Sequence, residues 1–184
     1  MWRPSKQEQW FTFISYSSRE DEVGAIKPFV DDYIGELQRR GYDVCPIYYD
    51  GFYLRDRADG APYSNHELES EIRKGIRGST FTSAFLSPWY YCSHWCNFEW
   101  DETEAASHRI SPILWKGWLP IEPPSPRTKT WDPKKFSRYP VTDIRELELW
   151  REGKVARQDR EWGEAIAKCV RTAMYITGQT RWVP

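Results

Sequence analysis

The chain has 184 residues, with 26 basic and 27 acidic side chains and a formal net charge of −1 at pH 7. This length suits one domain with a substantial core, and the balanced charge excludes the basic field that favours nucleic acid or an anionic membrane. No apolar run approaches the roughly 18 residues that span a bilayer. The first residues do not resemble a signal peptide, so we expect a cytoplasmic protein with no nucleic-acid or membrane partner.

Cysteine usage points to the same compartment. The four cysteines are scattered among apolar residues, which is typical of reduced thiols and not of a disulfide framework. Cys92, His94 and Cys96 lie close together, but a second pair of ligands at zinc-site spacing is missing from the sequence. We therefore predict no metal site and no bound cofactor.

The first part of the chain predicts a strand, a helix and a second strand. Aromatic and β-branched residues from Trp10 to Tyr16 indicate a buried strand. Apolar residues recur at helical spacing from Val23 to Arg40, and Gly41 is placed to end that helix. A second strand is predicted over Tyr42–Tyr49, where Pro46 indicates an edge strand or a strand end.

The middle of the chain begins with a long polar loop, residues 50–65, and loops of this length are often functional. A helix is predicted over Glu67–Arg77 and a strand over Thr80–Ser87. The next helix is predicted to start at Ser93, its N-cap, and to reach about His108. A further strand is predicted over Ile110–Trp115.

The last part of the chain begins with a proline-rich stretch, residues 117–140, which predicts an irregular insertion on the surface. Val141–Trp150 predicts a short strand followed by a turn or helix, and Arg157–Thr177 an amphipathic helix. Because strands and helices alternate, we predict an α/β fold with a mostly parallel sheet and helices on both faces. We expect one domain over residues 1–184, with its core at about 10–177.

Three polar segments are predicted to meet at one edge of this sheet. Right-handed crossovers bring the strand-to-helix connections to the same edge, so residues 15–21, 50–65 and 93–99 would share a crevice of the kind that binds ligands. Trp95 and Glu99 are four residues apart, on one helical face. By spacing alone, a core tryptophan and a solvated acid are the commoner outcome. The expected crevice makes Glu99 a candidate site residue.

Four segments carry a recognisable pattern. They are 13–19 (Phe-Ile-Ser-Tyr-Ser-Ser-Arg), 41–44 with Asp50, 68–76, and 85–88 followed by 93–99. The last joins a Leu-Ser-Pro strand end to a Trp-Cys-x-x-Glu sequence. In this order and spacing the segments resemble the Toll/interleukin-1 receptor (TIR) domain family, over about residues 11–115. The last segment is similar to the bacterial branch of that family that consumes NAD+.

This resemblance implies a flavodoxin-like three-layer sandwich with a mainly parallel central sheet. It also implies cleavage of the nicotinamide–ribose bond of NAD+ as substrate, with release of nicotinamide and of ADP-ribose or a cyclic ADP-ribose. The catalytic carboxylate of the family falls on Glu99. The substrate-binding positions implied by the same match, Tyr63 being the least direct of them, are Ser17, Ser18, Arg19, Asp50, Tyr63 and Trp95.

The resemblance further implies self-association through TIR–TIR contacts, a separate effector or sensor protein, and a role in prokaryotic antiviral defence. Two other functions stay open. One is a non-catalytic TIR interaction module, which works by assembly alone. The other is an enzyme like the nucleoside deoxyribosyltransferases, which also use a glutamate but act on free nucleosides.

Overall fold

The computed structural model of the protein describes residues 10–17, 26–44, 64–115, 138–145 and 157–178. In chain order, its elements are β1 (Trp10–Tyr16), α1 (Lys27–Arg39), α2 (Asn65–Gly78), β2 (Ser79–Leu86), α3 (Pro88–Cys92), α4 (His94–Ala105), β3 (Arg109–Leu114), β4 (Thr142–Asp143) and α5 (Arg160–Ile176). None of the helices in these ranges combines the length and the apolar character needed to cross a membrane.

The strands form one parallel sheet in the order β1-β2-β3-β4. Beyond β1, on the side away from β2, Thr12 makes a parallel bridge with Val44, and the Phe11 amide donates to the Asp43 carbonyl at 2.6 Å. After β1, the chain therefore forms the segment at Val44 on one side of β1 and then crosses to the other side to form β2. This is the doubly wound, flavodoxin-like order. The predicted α/β fold is confirmed.

One face of the sheet is covered by α1 and α5. We call this layer the α1–α5 cluster; its large members are Phe29, Val30, Tyr33, Leu37, Phe81, Phe85, Trp162, Ile166 and Val170. The Tyr33 hydroxyl lies 3.1 Å from Ser83 Oγ, which in turn lies 2.9 Å from Thr12 Oγ1. Apolar burial is the main stabilising term for such a layer. In this short chain of hydroxyls, the buried polar groups of Thr12, Tyr33 and Ser83 are hydrogen-bonded to one another.

The opposite face is covered by α2, α3 and α4. Ala84 and Leu86 of β2 pack there against Tyr90, Tyr91 and Trp100. Beside them, a second group covers the same face of β1; its members are Trp10, Phe13, Ile72 and Ile76, with Leu68, Trp95, Phe98 and Ala106 packed against them. Helices on both faces of a parallel sheet give the three layers that the sequence predicts.

The element boundaries differ from the predictions at a few informative points. The described first helix begins at Lys27, with Ile26 as N-cap and Pro28 in its first turn, where a missing amide costs no helical hydrogen bond; the predicted start at Val23 lies outside the described residues. This helix ends as predicted before Gly41, which has a φ of +84°. The sequence analysis missed α3, the five-residue helix between β2 and α4. The predictions for residues 18–25, 45–63 and 116–137 lie outside the described residues.

Candidate active site

Glu99 lies in the second turn of α4, and its side chain is only 5% exposed. The helix starts where the sequence predicts, because Ser93 is the N-cap and its Oγ accepts a hydrogen bond from the Cys96 amide at 3.3 Å. One turn further on, Thr103 Oγ1 donates to the Glu99 carbonyl at 2.8 Å. The carboxyl thus projects from a well-anchored helix toward the interior, and not into bulk water.

Two buried hydroxyl groups lie next to this carboxyl. Ser15 Oγ, on β1, donates a short hydrogen bond to Glu99 Oε2. The hydroxyl of Tyr90, on α3, lies 2.9 Å from the same Ser15 oxygen. Ser15 and Tyr90 are both fully buried. Residues of β1 and α3 therefore meet the carboxyl of α4, and β1 is far from both helices in the sequence.

Burial governs the electrostatics of the site. It raises the pKa of Glu99 from 4.5 to about 8, and the hydrogen bond from Ser15 offsets part of that effect. Burial also raises the pKa of Tyr90 and of Cys96 well above their usual ranges, and the nearby Glu99 carboxyl adds to both shifts. A carboxyl with a pKa near working pH is a frequent property of catalytic sites, although structural groups also show it.

The site lies where doubly wound proteins bind ligands. Ser15 is the penultimate residue of β1 and pairs in register with Ala84, near the carboxyl end of β2. Between these two strands the sheet order reverses direction, because the segment at Val44 lies on the other side of β1. Ligands of such sheets bind outside the carboxyl ends of the strands at this switch point.

Two further predicted site residues can be located. Trp95 is half-buried one turn before Glu99, where its ring lies 6.1 Å from that of Phe98, edge to face. It packs against the group that contains Phe13 and Ile72, so at least part of the indole serves the core. Ser17 follows β1 directly and is buried at the same end of the strand as Ser15.

The remaining predicted positions, Ser18, Arg19, Asp50 and Tyr63, lie outside the described residues. Within the described ranges, His, Cys, Asp and Glu side chains do not gather in groups of three or more that could hold a metal ion. The arrangement that can be described is therefore a single buried acid with two hydroxyl neighbours.

Sequence reasoning missed Tyr90 as part of the site, and it placed Ser15 in the crevice-forming segment 15–21 without selecting it as a site residue. Tyr90 is held by α3, whose N-cap Ser87 accepts from the Tyr90 amide at 3.1 Å and whose first residue is Pro88. A serine followed by proline is a recognisable helix start and could have revealed α3. Ser15 gave a weaker signal: it is a polar residue within an apolar strand, near its carboxyl end.

Comparison with known proteins agrees with this fold. A family model described as "TIR domain" matches residues 12–147. A protein from Methanobrevibacter olleyae, named probable 2' cyclic ADP-D-ribose synthase TcpO, is 27% identical over 95 residues. That alignment covers 52% of this chain and 23% of the relative, so the chain spans about a quarter of the relative's length. The sheet order and the match over most of the chain identify the protein as a member of the TIR domain family.

Proposed function

We propose that the protein cleaves the nicotinamide–ribose bond of NAD+ and that Glu99 is the catalytic residue. The observation that carries this proposal is the burial of one carboxyl beside Ser15, at the carboxyl end of β1. The name of the TIR relative, a probable 2' cyclic ADP-D-ribose synthase, supports a reaction of this class. NAD+ is the substrate in this proposal, and no bound cofactor is required.

The chemistry of this bond suits a single acid. Nicotinamide leaves as a neutral molecule because it begins as a cationic pyridinium, so no general acid is needed. The ribose carbon passes through a state with oxocarbenium character, as in glycoside cleavage. An ionised Glu99 in a poorly solvated site would stabilise this positive charge more strongly than an exposed carboxylate.

The elevated pKa of Glu99 is compatible with this role. Near neutral pH the free protein holds Glu99 largely protonated, since the pKa is about 8. A bound pyridinium cation favours the ionised carboxylate, because an opposite charge nearby lowers the pKa of an acid. Binding of NAD+ would therefore convert Glu99 to the ionised carboxylate that the reaction needs.

The other predicted positions have supporting roles in the same proposal. Trp95, one turn before Glu99, would confine the nicotinamide or ribose with the exposed part of its ring. Ser17, Ser18 and Arg19 would contact the pyrophosphate from the connection that follows β1. The polar loop predicted over residues 50–65, with Asp50 and Tyr63, would cover the nucleotide.

The product and the biological setting extend the proposal. Water would capture the ribose centre to give ADP-ribose, and an internal hydroxyl or ring nitrogen would give a cyclic ADP-ribose. The relative's name favours the cyclic product. We further propose that copies of the domain associate through TIR–TIR contacts, and that the product acts on a separate effector in the cytoplasm during prokaryotic antiviral defence.

The test is incubation of the purified protein with NAD+ at high protein concentration, at pH 7 and pH 9, with products resolved by mass. We expect loss of NAD+ and appearance of free nicotinamide. Glu99→Gln should lower turnover about 100-fold or more, as removal of a transition-state electrostatic group does. Asp101→Asn, an exposed position on the same helix, is the matched control and should keep its activity.

Each outcome of this assay separates the candidate functions. Turnover that persists in a folded Glu99→Gln variant would remove Glu99 from the mechanism. Base exchange on free nucleosides, with NAD+ left intact, would indicate the deoxyribosyltransferase-like alternative. If the protein assembles but does not consume NAD+ at either pH, the result would indicate the non-catalytic TIR interaction module.

A further inference from the structure

The hydroxyl groups behind Glu99 form a chain that ends on its carboxyl. Tyr90 Oη lies 2.9 Å from Ser15 Oγ, and Ser15 Oγ donates to Glu99 Oε2. All three side chains are buried, so water competes little for these hydrogen bonds. We propose that Ser15 and Tyr90 are positioning residues for the reaction, which orient the Glu99 carboxylate and favour its ionised form. This inference rests on the proposed cleavage of NAD+.

Each hydroxyl has a single proton, and this fixes which group donates in each hydrogen bond of the chain. An ionised carboxylate only accepts hydrogen bonds, so Ser15 must give its single hydroxyl proton to Glu99. The bond between Ser15 and Tyr90 then requires Tyr90 to donate. Hydrogen bonds that point the same way polarise one another. Tyr90 therefore strengthens the hydrogen bond from Ser15 to Glu99 by donating to Ser15.

Tyr90 is well held for this task. The Ser87 hydroxyl accepts from its backbone amide, at the start of α3. Asn97, on α4, donates from Nδ2 to the carbonyl oxygens of Tyr91 and Ser93 at 2.9 and 2.6 Å, which ties the end of α3 to the helix that carries Glu99. The Tyr90 hydroxyl and the Glu99 carboxyl are thus fixed on one connected framework.

Few other charges bear on Glu99 among the described residues. Tyr90 from α3 and Cys96 from the preceding turn of α4 are neutral near pH 8, because burial raises the pKa of each. On α2, the charge of Arg73 is paired with Glu102 of α4 at 3.0 Å. The facing residues of β1 and β2 contribute hydroxyl and apolar groups. Within the described part of the chain, the hydroxyls of Ser15 and Tyr90 are therefore the main polar support of the ionised acid.

The direct test measures the titration of Glu99 without any substrate. Glutamate labelled with carbon-13 at the side-chain carboxyl gives an NMR signal that Glu99→Gln identifies by its loss. We expect the titration to move to higher pH by about one unit in Ser15→Ala and by about half a unit in Tyr90→Phe. Tyr91→Phe is the matched control, because it removes a buried hydroxyl on the same helix outside the chain.

The second readout is the pH dependence of kcat/KM for NAD+, which reports the ionisation of the free enzyme. Its acid limb should move by the same amounts, so that kcat/KM at pH 7 falls about tenfold in Ser15→Ala and about threefold in Tyr90→Phe. If Ser15→Ala does not fold, Tyr90→Phe, which removes one oxygen, carries the test alone. Unchanged Glu99 titration in folded variants would overturn the positioning roles. If the Glu99 titration shifts but neither wild type nor any variant consumes NAD+, the result would support the hydrogen-bonded chain of hydroxyls and overturn the proposed function.

Discussion

Replacing Glu99 with glutamine should change how the stability of the protein depends on pH. Glu99 is 5% exposed, and burial raises its pKa from 4.5 to about 8. In the unfolded chain the same carboxyl loses its proton near its ordinary pKa. Between these two values the folded protein binds one proton more than the unfolded chain, so this group makes stability fall as pH rises.

The expected size follows from that proton difference. One bound proton corresponds to a slope of about 1.4 kcal/mol per pH unit in the free energy of unfolding. The slope becomes shallower as pH approaches the folded pKa of about 8, so between pH 5.5 and 7.5 the wild-type protein should lose roughly 2 to 3 kcal/mol relative to Glu99→Gln. The stability that Glu99 contributes is fully present below its unfolded pKa and is lost as pH rises through about 8. Glutamine has no such titration, and its side-chain oxygen still accepts from Ser15.

The assay is urea denaturation of both proteins at half-unit steps from pH 5 to 9, followed by circular dichroism. The difference between their free energies of unfolding cancels the contributions of the other titrating groups. Asp101→Asn, which removes an exposed carboxylate from the same helix, is the control for the loss of one negative charge. Parallel curves for wild type and Glu99→Gln over this range would refute a buried carboxyl with a raised pKa.

Two further predictions concern α4. Trp95→Ala should lower the free energy of unfolding by about 2 kcal/mol in urea denaturation, since the indole is half-buried beside Phe98. It should also reduce NAD+ turnover; full activity per folded molecule would make Trp95 a core residue only. Ser93→Ala should cost about 1 kcal/mol because it removes the N-cap, whereas Ser93→Gly should cost only a few tenths. Equal losses for alanine and glycine would contradict a capping role.

The order of elements was predictable because each strand and helix leaves a local pattern. The apolar run of β1 and the helical spacing that ends at Gly41 depend on near neighbours, and both are found where the sequence indicates them. Pro28, in the first turn of α1, is a local signal of a helix start that the apolar spacing did not use. The missed α3 is only five residues long, too short for its periodicity to be seen.

The site was less predictable than the fold. Spacing alone favoured a solvated Glu99, and the resemblance to the TIR family, with the expected meeting of strand ends, was needed to select it. Its contact with Ser15 joins residues 84 positions apart, and the contact of Ser15 with Tyr90 spans 75. Such pairs depend on the register of β1 against β2 and on the path of α3. Single-sequence patterns do not contain that information.

The contacts between α1 and α5 affect where the chain can be cut. The TIR family match ends at residue 147, whereas α5 begins at Arg160. Trp162 Nε1 donates to Asp32 at 2.9 Å, and Arg157 pairs with the same carboxylate. A fragment trimmed to the matched boundaries would lack α5 and would expose the apolar side of α1. Exposed apolar patches of this kind favour aggregation during expression. Truncated versions intended for crystallisation or binding studies should therefore extend to at least residue 178.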